Sequence, residues 1–186
     1  MQPMRLCNTP SSYGLVSIAL HWIAAVAIIG LFALGLWMVD LSYADPWYTT
    51  APWLHIGLGV VLGALIVARL AWRLCQPRPA FESGMRGWER AAALTAHWLM
   101  YTATVAVIGS GYLITTADGS AVSVLDWFEL PPLQLGIDRQ ADLAGRVHYY
   151  GAWLLVLMAG GHSLAALKHH LIDRDRTLIK MLRPER

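Results

Sequence analysis

Charge is what this 186-residue chain has least of: 14% of its residues are charged, against 56% hydrophobic. A soluble domain carries about a quarter charged residues, so the shortfall excludes an ordinary water-soluble composition and points to a membrane protein. Cysteine is nearly absent. Cys7 and Cys75 form no closely spaced pair, which argues against a disulfide framework or a Cys-ligated metal. The formal net charge is only +2, which gives no global case for nucleic-acid binding. There is no low-complexity segment and no convincing internal repeat.

Four long apolar runs are present, at about 15–39, 53–75, 91–115 and 144–170. Each is long enough to cross a hydrocarbon core of about 30 Å. They predict an all-α membrane protein, a four-transmembrane-helix bundle forming one membrane domain over 1–186. The first run holds no Asp, Glu, Lys or Arg. At about 25 residues it exceeds the apolar region of a signal peptide, about 7–15 residues, and reads as a mature span. Glycines recur inside the runs, among them Gly57, Gly59, Gly63, Gly109 and Gly111; small residues permit close helix approach and leave room for a bulky cofactor.

Basic residues orient the bundle. Arg5 precedes the first span; Arg69, Arg73, Arg78, Arg86 and Arg90 cluster around the second connection; Lys168, Arg174, Arg176, Lys180, Arg183 and Arg186 fill the C-terminal end. The first and third connections are mostly acidic, with Asp40, Asp45, Asp118, Asp126, Glu129, Asp138 and Asp142 against Arg139 and Arg146. The positive-inside rule then places both termini in the cytoplasm and the two acidic connections outside. Trp47, Trp53, Trp88, Trp98, Trp127 and Trp153 lie near span ends, as interfacial anchors do. Within the long outer connection, 120–130 reads either as an amphipathic helix lying on the membrane or as an ordered loop capping the bundle.

Histidine is the functional signal, because ionisable residues inside a membrane are expensive. His148 and His162 are fourteen residues apart on one run, so both project from nearly the same helix face, about 21 Å apart along the axis. Topology then assigns depths: His55 and His148 lie near the outer face, and His21 and His162 near the inner face. Depth alone also admits His97 to the inner set. Imidazole pairs at two depths suit two metal sites. Histidine is a usual axial ligand of haem iron, and a porphyrin fits between the helices of a bundle. Covalent c-type attachment is excluded by the lack of a Cys-x-x-Cys-His motif. A non-haem metal transporter would want carboxylates beside the imidazoles, and the runs hold none. His169, seven residues beyond His162, extends the stripe to the cytoplasmic end. There it is a candidate to hydrogen-bond a quinone head group; in the plainer reading, Lys168-His169-His170 is a basic cluster touching lipid phosphates.

Tyr13-Gly14, Leu20-His21-Trp22, Leu54-His55-Ile56-Gly57 with Arg69, Ala96-His97, and Gly111-Tyr112-Leu113-Ile114 form a pattern with the last segment. That segment reads His148, His162, Ala165-Ala166-Leu167-Lys168-His169-His170, Asp173, Asp175 and Thr177-Leu178. With this pattern the chain resembles, over nearly its whole length, the prokaryotic cytochrome b561 family. The resemblance implies a multi-pass protein of the bacterial inner membrane with two haem b groups. It implies His21 and His162 as axial ligands of the inner haem iron, selecting His21 over His97, and His55 and His148 for the outer one. It also implies a quinone site near His169, with ubiquinone as acceptor. The implied function is electron movement between a periplasmic donor and the ubiquinone pool. The donor is superoxide in relatives that resemble superoxide:ubiquinone oxidoreductases; an isoprenoid-binding periplasmic protein is another partner the family suggests. Arg139 and Arg146 would attract superoxide, whereas the acidity of the loop around them opposes it. The alternative role is a haem-bearing anchor that wires a partner dehydrogenase to quinone.

Overall fold

The computed structural model describes residues 5–184, so Arg186 of the basic C-terminal end lies outside the described residues. The chain is mostly helical. Helices α1 (Leu15–Met38), α2 (Thr50–Cys75), α3 (Gly87–Thr115) and α4 (Gln140–Leu171) are all long and apolar enough to cross a membrane. At about 1.5 Å per residue, even the 24-residue α1 exceeds a hydrocarbon core of about 30 Å. Their surfaces keep large apolar side chains exposed, such as Val26, Val67, Val105 and Leu157. Side chains of this kind are stable on a helix exterior when lipid, not water, surrounds it.

Two compact units are built from these helices, and each helix contributes residues to both. One comprises Met1–Ala25, Leu65–Leu99 and Leu157–Arg186; the other comprises Val26–Ala64 and Met100–Val156.

In the first unit the segment before α1 satisfies the helix's orphan amides. Leu15 N–H donates to the Arg5 carbonyl and Val16 N–H to that of Leu6. Asn8 Oδ1 accepts from Gly14 N–H at 2.9 Å and from the Ser17 hydroxyl at 2.7 Å. Ser17 Oγ in turn accepts from Trp72 Nε1 at 3.0 Å. This packing requires glycine at position 14: a Cβ there would overlap the Leu6 carbonyl oxygen and come within 2.5 Å of the Cys7 carbonyl. The chain beyond α4 returns onto the same unit. Trp22 Nε1 donates to the Met181 carbonyl, and Lys180 pairs with Glu82 at 2.6 Å.

In the second unit the long connection after α3 forms a β-hairpin, β1 (Val122–Val124) and β2 (Phe128–Leu130), with Val124 opposite Phe128. The interfacial helix considered for 120–130 is therefore not formed. Val122 and Val124 are fully buried while Ser123 between them is not, the alternation of a half-buried strand. Leu125 and Asp126 both take positive φ, 51° and 59°, as the central residues of a primed β-turn do, and Trp127 N–H closes that turn on the Val124 carbonyl at 3.0 Å. Leu125 accepts that conformation because its side chain fills a notch over Gly57, where a Cβ would meet it at 2.6 Å. Asp126 Oδ1 accepts from Ser123 Oγ and from Trp53 Nε1. The rest of the connection hangs on Gln140, whose Nε2 donates to the Leu113 and Leu133 carbonyls and whose Oε1 accepts Leu135 N–H at 2.7 Å.

Gly14→Ala is expected to lower the thermal midpoint in detergent, at a cost of about 1–3 kcal/mol, because the overlapping atoms are backbone. Gly59→Ala, where a Cβ meets nothing within 4 Å, is expected to leave the midpoint unchanged or raise it. Equal midpoints for the two variants would refute this role for Gly14.

Candidate functional site

Histidines gather in both units. In the unit of Val26–Ala64 and Met100–Val156, His55 of α2 faces His148 of α4, with ring centres 5.9 Å apart and planes at 74°. His148 Nδ1–H donates to the Val107 carbonyl at 2.8 Å. That bond fixes the tautomer and leaves the Nε2 lone pair available to a metal. His55 Nδ1 is buried without a hydrogen bond of normal geometry, although the Leu31 backbone comes near it. Glycines give both rings their room. A Cβ at Gly35 would lie 3.0 Å from His55 Cε1, and one at Gly111 would lie 3.0 Å from His148 Cε1.

In the other unit three histidines meet. The His21 and His162 ring centres are 6.4 Å apart, and those of His97 and His162 are 5.0 Å apart. Two imidazoles bound trans to one metal, with metal–nitrogen bonds of about 2 Å, place their ring centres about 6.3 Å apart. The spacing of His21 and His162 admits a metal between them, that of His55 and His148 nearly does, and that of His97 and His162 is too short. His97 Nδ1–H donates to the Ala93 carbonyl one turn earlier in its own helix. Arg69 donates to His21 Nδ1 at 2.8 Å, a contact with no counterpart among the residues read from the sequence as functional. At His55 and His148 the imidazole nitrogens and the glycines beside both rings fit a bis-histidine porphyrin iron; His21 and His162 offer the spacing, once the Arg69 contact on His21 Nδ1 is exchanged.

His169 stands in a different setting, at the end of α4. Its Nδ1 lies 2.7 Å from Asp175 Oδ2 and 2.9 Å from Asp173 Oδ2. Beside it, Lys168 Nζ bridges Glu89 and Asp173, each at 2.7 Å. Glu89, His169 and Asp173 present donors close enough to hold a cation, but the Lys168 ammonium already lies against both carboxylates. The cluster borders a cleft of about 540 Å³ that is also lined by Met85, Arg86, Trp88 and Asp175. Burial would raise the Asp175 carboxyl pKa. Hydrogen bonds from the Thr177 backbone and hydroxyl, and then from His169, outweigh it and hold the carboxyl below the usual carboxylate range. Sequence reading singled out His169 but not Glu89, which lies 79 residues from Lys168 and carries no local signal. Asp173 and Asp175 were visible only as part of a motif.

Residues 12–184 match the model of a family described as prokaryotic cytochrome b561. Among curated proteins, the chain is similar to "Cytochrome b561 homolog 2" of Escherichia coli (strain K12), 45% identical over 179 residues that cover 96% of this chain and 95% of that protein. It is also similar to "Probable superoxide oxidase CybB" of Yersinia pestis, 25% identical over 94% of this chain and 97% of that protein. "Cytochrome b561 homolog 1" of Escherichia coli (strain K12) is 24% identical over 89% and 93%, respectively.

Because folding lowers the Asp175 pKa, its carboxylate stabilises the fold above the ordinary carboxylate range, about pH 4, and that contribution is lost as pH falls through the lowered value. The thermal-midpoint advantage of the wild type over Asp175→Asn is therefore expected to be constant near neutrality and to shrink in acid. An advantage that grows as pH falls would contradict the assigned direction.

Proposed function

The chain belongs to the prokaryotic cytochrome b561 family, and from that premise we propose that it is a dihaem b-type cytochrome. In this reading it moves electrons between a donor outside the bacterial inner membrane and the ubiquinone pool. The observation that carries this reading is the pair of histidine gaps, 6.4 Å for His21 with His162 and 5.9 Å for His55 with His148. Those four residues are the proposed axial ligands, and residues 1–186 act as one membrane domain. Haem bound in the two gaps would supply one-electron carriers in an apolar medium.

The chain's own residues hold these places ready. The Val107 carbonyl keeps His148 in the ligating tautomer, and Gly35 and Gly111 leave space beside the rings. Ligation through Nε2 of His21 needs the ring hydrogen on Nδ1, so Arg69 must exchange its contact there when the site loads. The basic residues of the second connection and C-terminal end support a cytoplasmic location for both termini. On that side the cleft beside His169 would receive the quinone head group. With Nδ1–H donated to Asp175, the Nε2 of neutral His169 is left as an acceptor for a quinol hydroxyl, and Trp88 offers an apolar wall. Superoxide, which the name of the Yersinia pestis relative suggests as a donor, would meet an acidic outer surface.

Purified wild-type protein is expected to contain two haems per chain by pyridine haemochrome assay. His55→Ala and His148→Ala should each retain one, and His97→Ala should retain both. Loss of a haem from His97→Ala would overturn the inner pairing, and a colourless wild type would overturn the function.

A further inference from the structure

The two compact units differ in charge as sharply as in composition. Counted over the sequence, the unit of Val26–Ala64 and Met100–Val156 carries seven acidic residues and two arginines; the other carries twelve basic residues and five acidic ones. One of the two arginines, Arg139, is taken up by Asp142 at 2.8 Å. Asp118, Asp126, Glu129 and Asp138 are all exposed. Backbone and hydroxyl hydrogen bonds from Ser120 hold the Asp118 carboxyl below its usual range, and those from Ser42 do the same for Asp45. The surface therefore stays anionic at any physiological pH.

The same long connection also exposes apolar side chains. Trp127 of the hairpin turn is 77% exposed and Phe128 is 52% exposed. Leu133, Leu135 and Ile137 follow in the same connection, each about half exposed. The hairpin is a fixed platform, since Leu125 is seated over Gly57 and Asp126 is tied to Trp53. Gly57 lies two residues from His55, so the hairpin rests on the same helix that carries that histidine. Exposed aromatics ringed by charge are the anatomy of a protein-docking site. The same acids would be repelled by anionic lipid headgroups, and they repel a small anion as well.

We propose that this surface docks a soluble redox protein that is basic around its electron-transfer edge, and that it exchanges a single electron with the His55–His148 site. One partner is oxidised by the electron that reduces the other, and no proton need move. The proposal rests on the dihaem reading for its purpose, but the docking surface itself can be tested apart from it.

The probe is cytochrome c, a lysine-rich soluble redox protein, with flavodoxin as an acidic counterpart. Binding is measured by biolayer interferometry on the full chain in phosphatidylcholine nanodiscs, with haem content determined on the same sample. Cytochrome c is expected to bind at low ionic strength and about tenfold more weakly at about 0.15 M salt. Glu129→Gln/Asp138→Asn, which leaves the Asp126 turn intact, should slow association about tenfold. Trp127→Phe and Trp127→Ala should chiefly hasten dissociation, the alanine more. Flavodoxin should not bind. Equal binding of both probes, or no effect of the double substitution, overturns the proposal. So does a fractional quenching by brominated lipid that is larger for the wild type than for Trp127→Phe, which would place Trp127 in the bilayer. Two haems without docking sinks this proposal alone; docking with no haem sinks the dihaem reading and leaves the docking surface standing.

Discussion

An imidazole in hydrocarbon has two nitrogens to satisfy and no water to do it. That constraint governs the helices of this protein. A helix has used its own backbone groups internally, so it can spare a carbonyl for a second hydrogen bond but seldom more. His148 takes the Val107 carbonyl and His97 takes that of Ala93. Each solution settles Nδ1 and leaves Nε2 unanswered by the backbone. A metal ion answers it well, because ligation uses the lone pair that burial has stripped of solvent. The two histidine gaps and the glycines at positions 35 and 111 all follow from giving those nitrogens a place.

The second constraint is charge, and it sorts the chain between the two units. One unit holds twelve of the fourteen arginines and lysines; the other holds seven of the twelve acids and only two arginines. Basic loops resist translocation, so the same charges that orient the chain also decide what each surface can attract. At the basic unit the acids among the described residues are tied to cations or imidazole: Glu89 and Asp173 to Lys168, Asp175 to His169, Glu82 to Lys180. Such pairing leaves a polar, nearly neutral cleft suited to an uncharged ligand. At the acidic unit only Asp142 has an ion-pair partner among the described residues, and the surface keeps its charge.

What was legible in the sequence was whatever repeats over a long stretch. Twenty or more apolar residues cannot be hidden, and the depth of a histidine follows from its place within such a run. The hairpin was missed because three-residue strands give alternation too little length to separate from a helical reading. Val122-Ser123-Val124 declares itself only when Leu125 is seen resting over Gly57. Contacts between distant segments were invisible for a different reason. Arg69 on His21 and Glu89 on Lys168 join residues on different helices, and neither partner's neighbours in sequence record the other.

His97 shows how much a distance adds to a depth. Reading by depth leaves His21 and His97 as equal partners for His162. The ring separations part them: 6.4 Å suits two imidazoles on opposite sides of one metal, and 5.0 Å is too short for that arrangement. The hydrogen bond of His97 to its own helix points the same way, because it holds the ring near α3 rather than extending it across the gap. A polar group so placed beside a ligand pair acts on the ligand, not on the metal. Lying 5.0 Å from His162 ring to ring, His97 presents a polar neighbour and would bear on how readily a site at His162 carries charge. The third histidine would then belong to the site's electrostatics, and its closeness to His162 is what separates it from the proposed ligands.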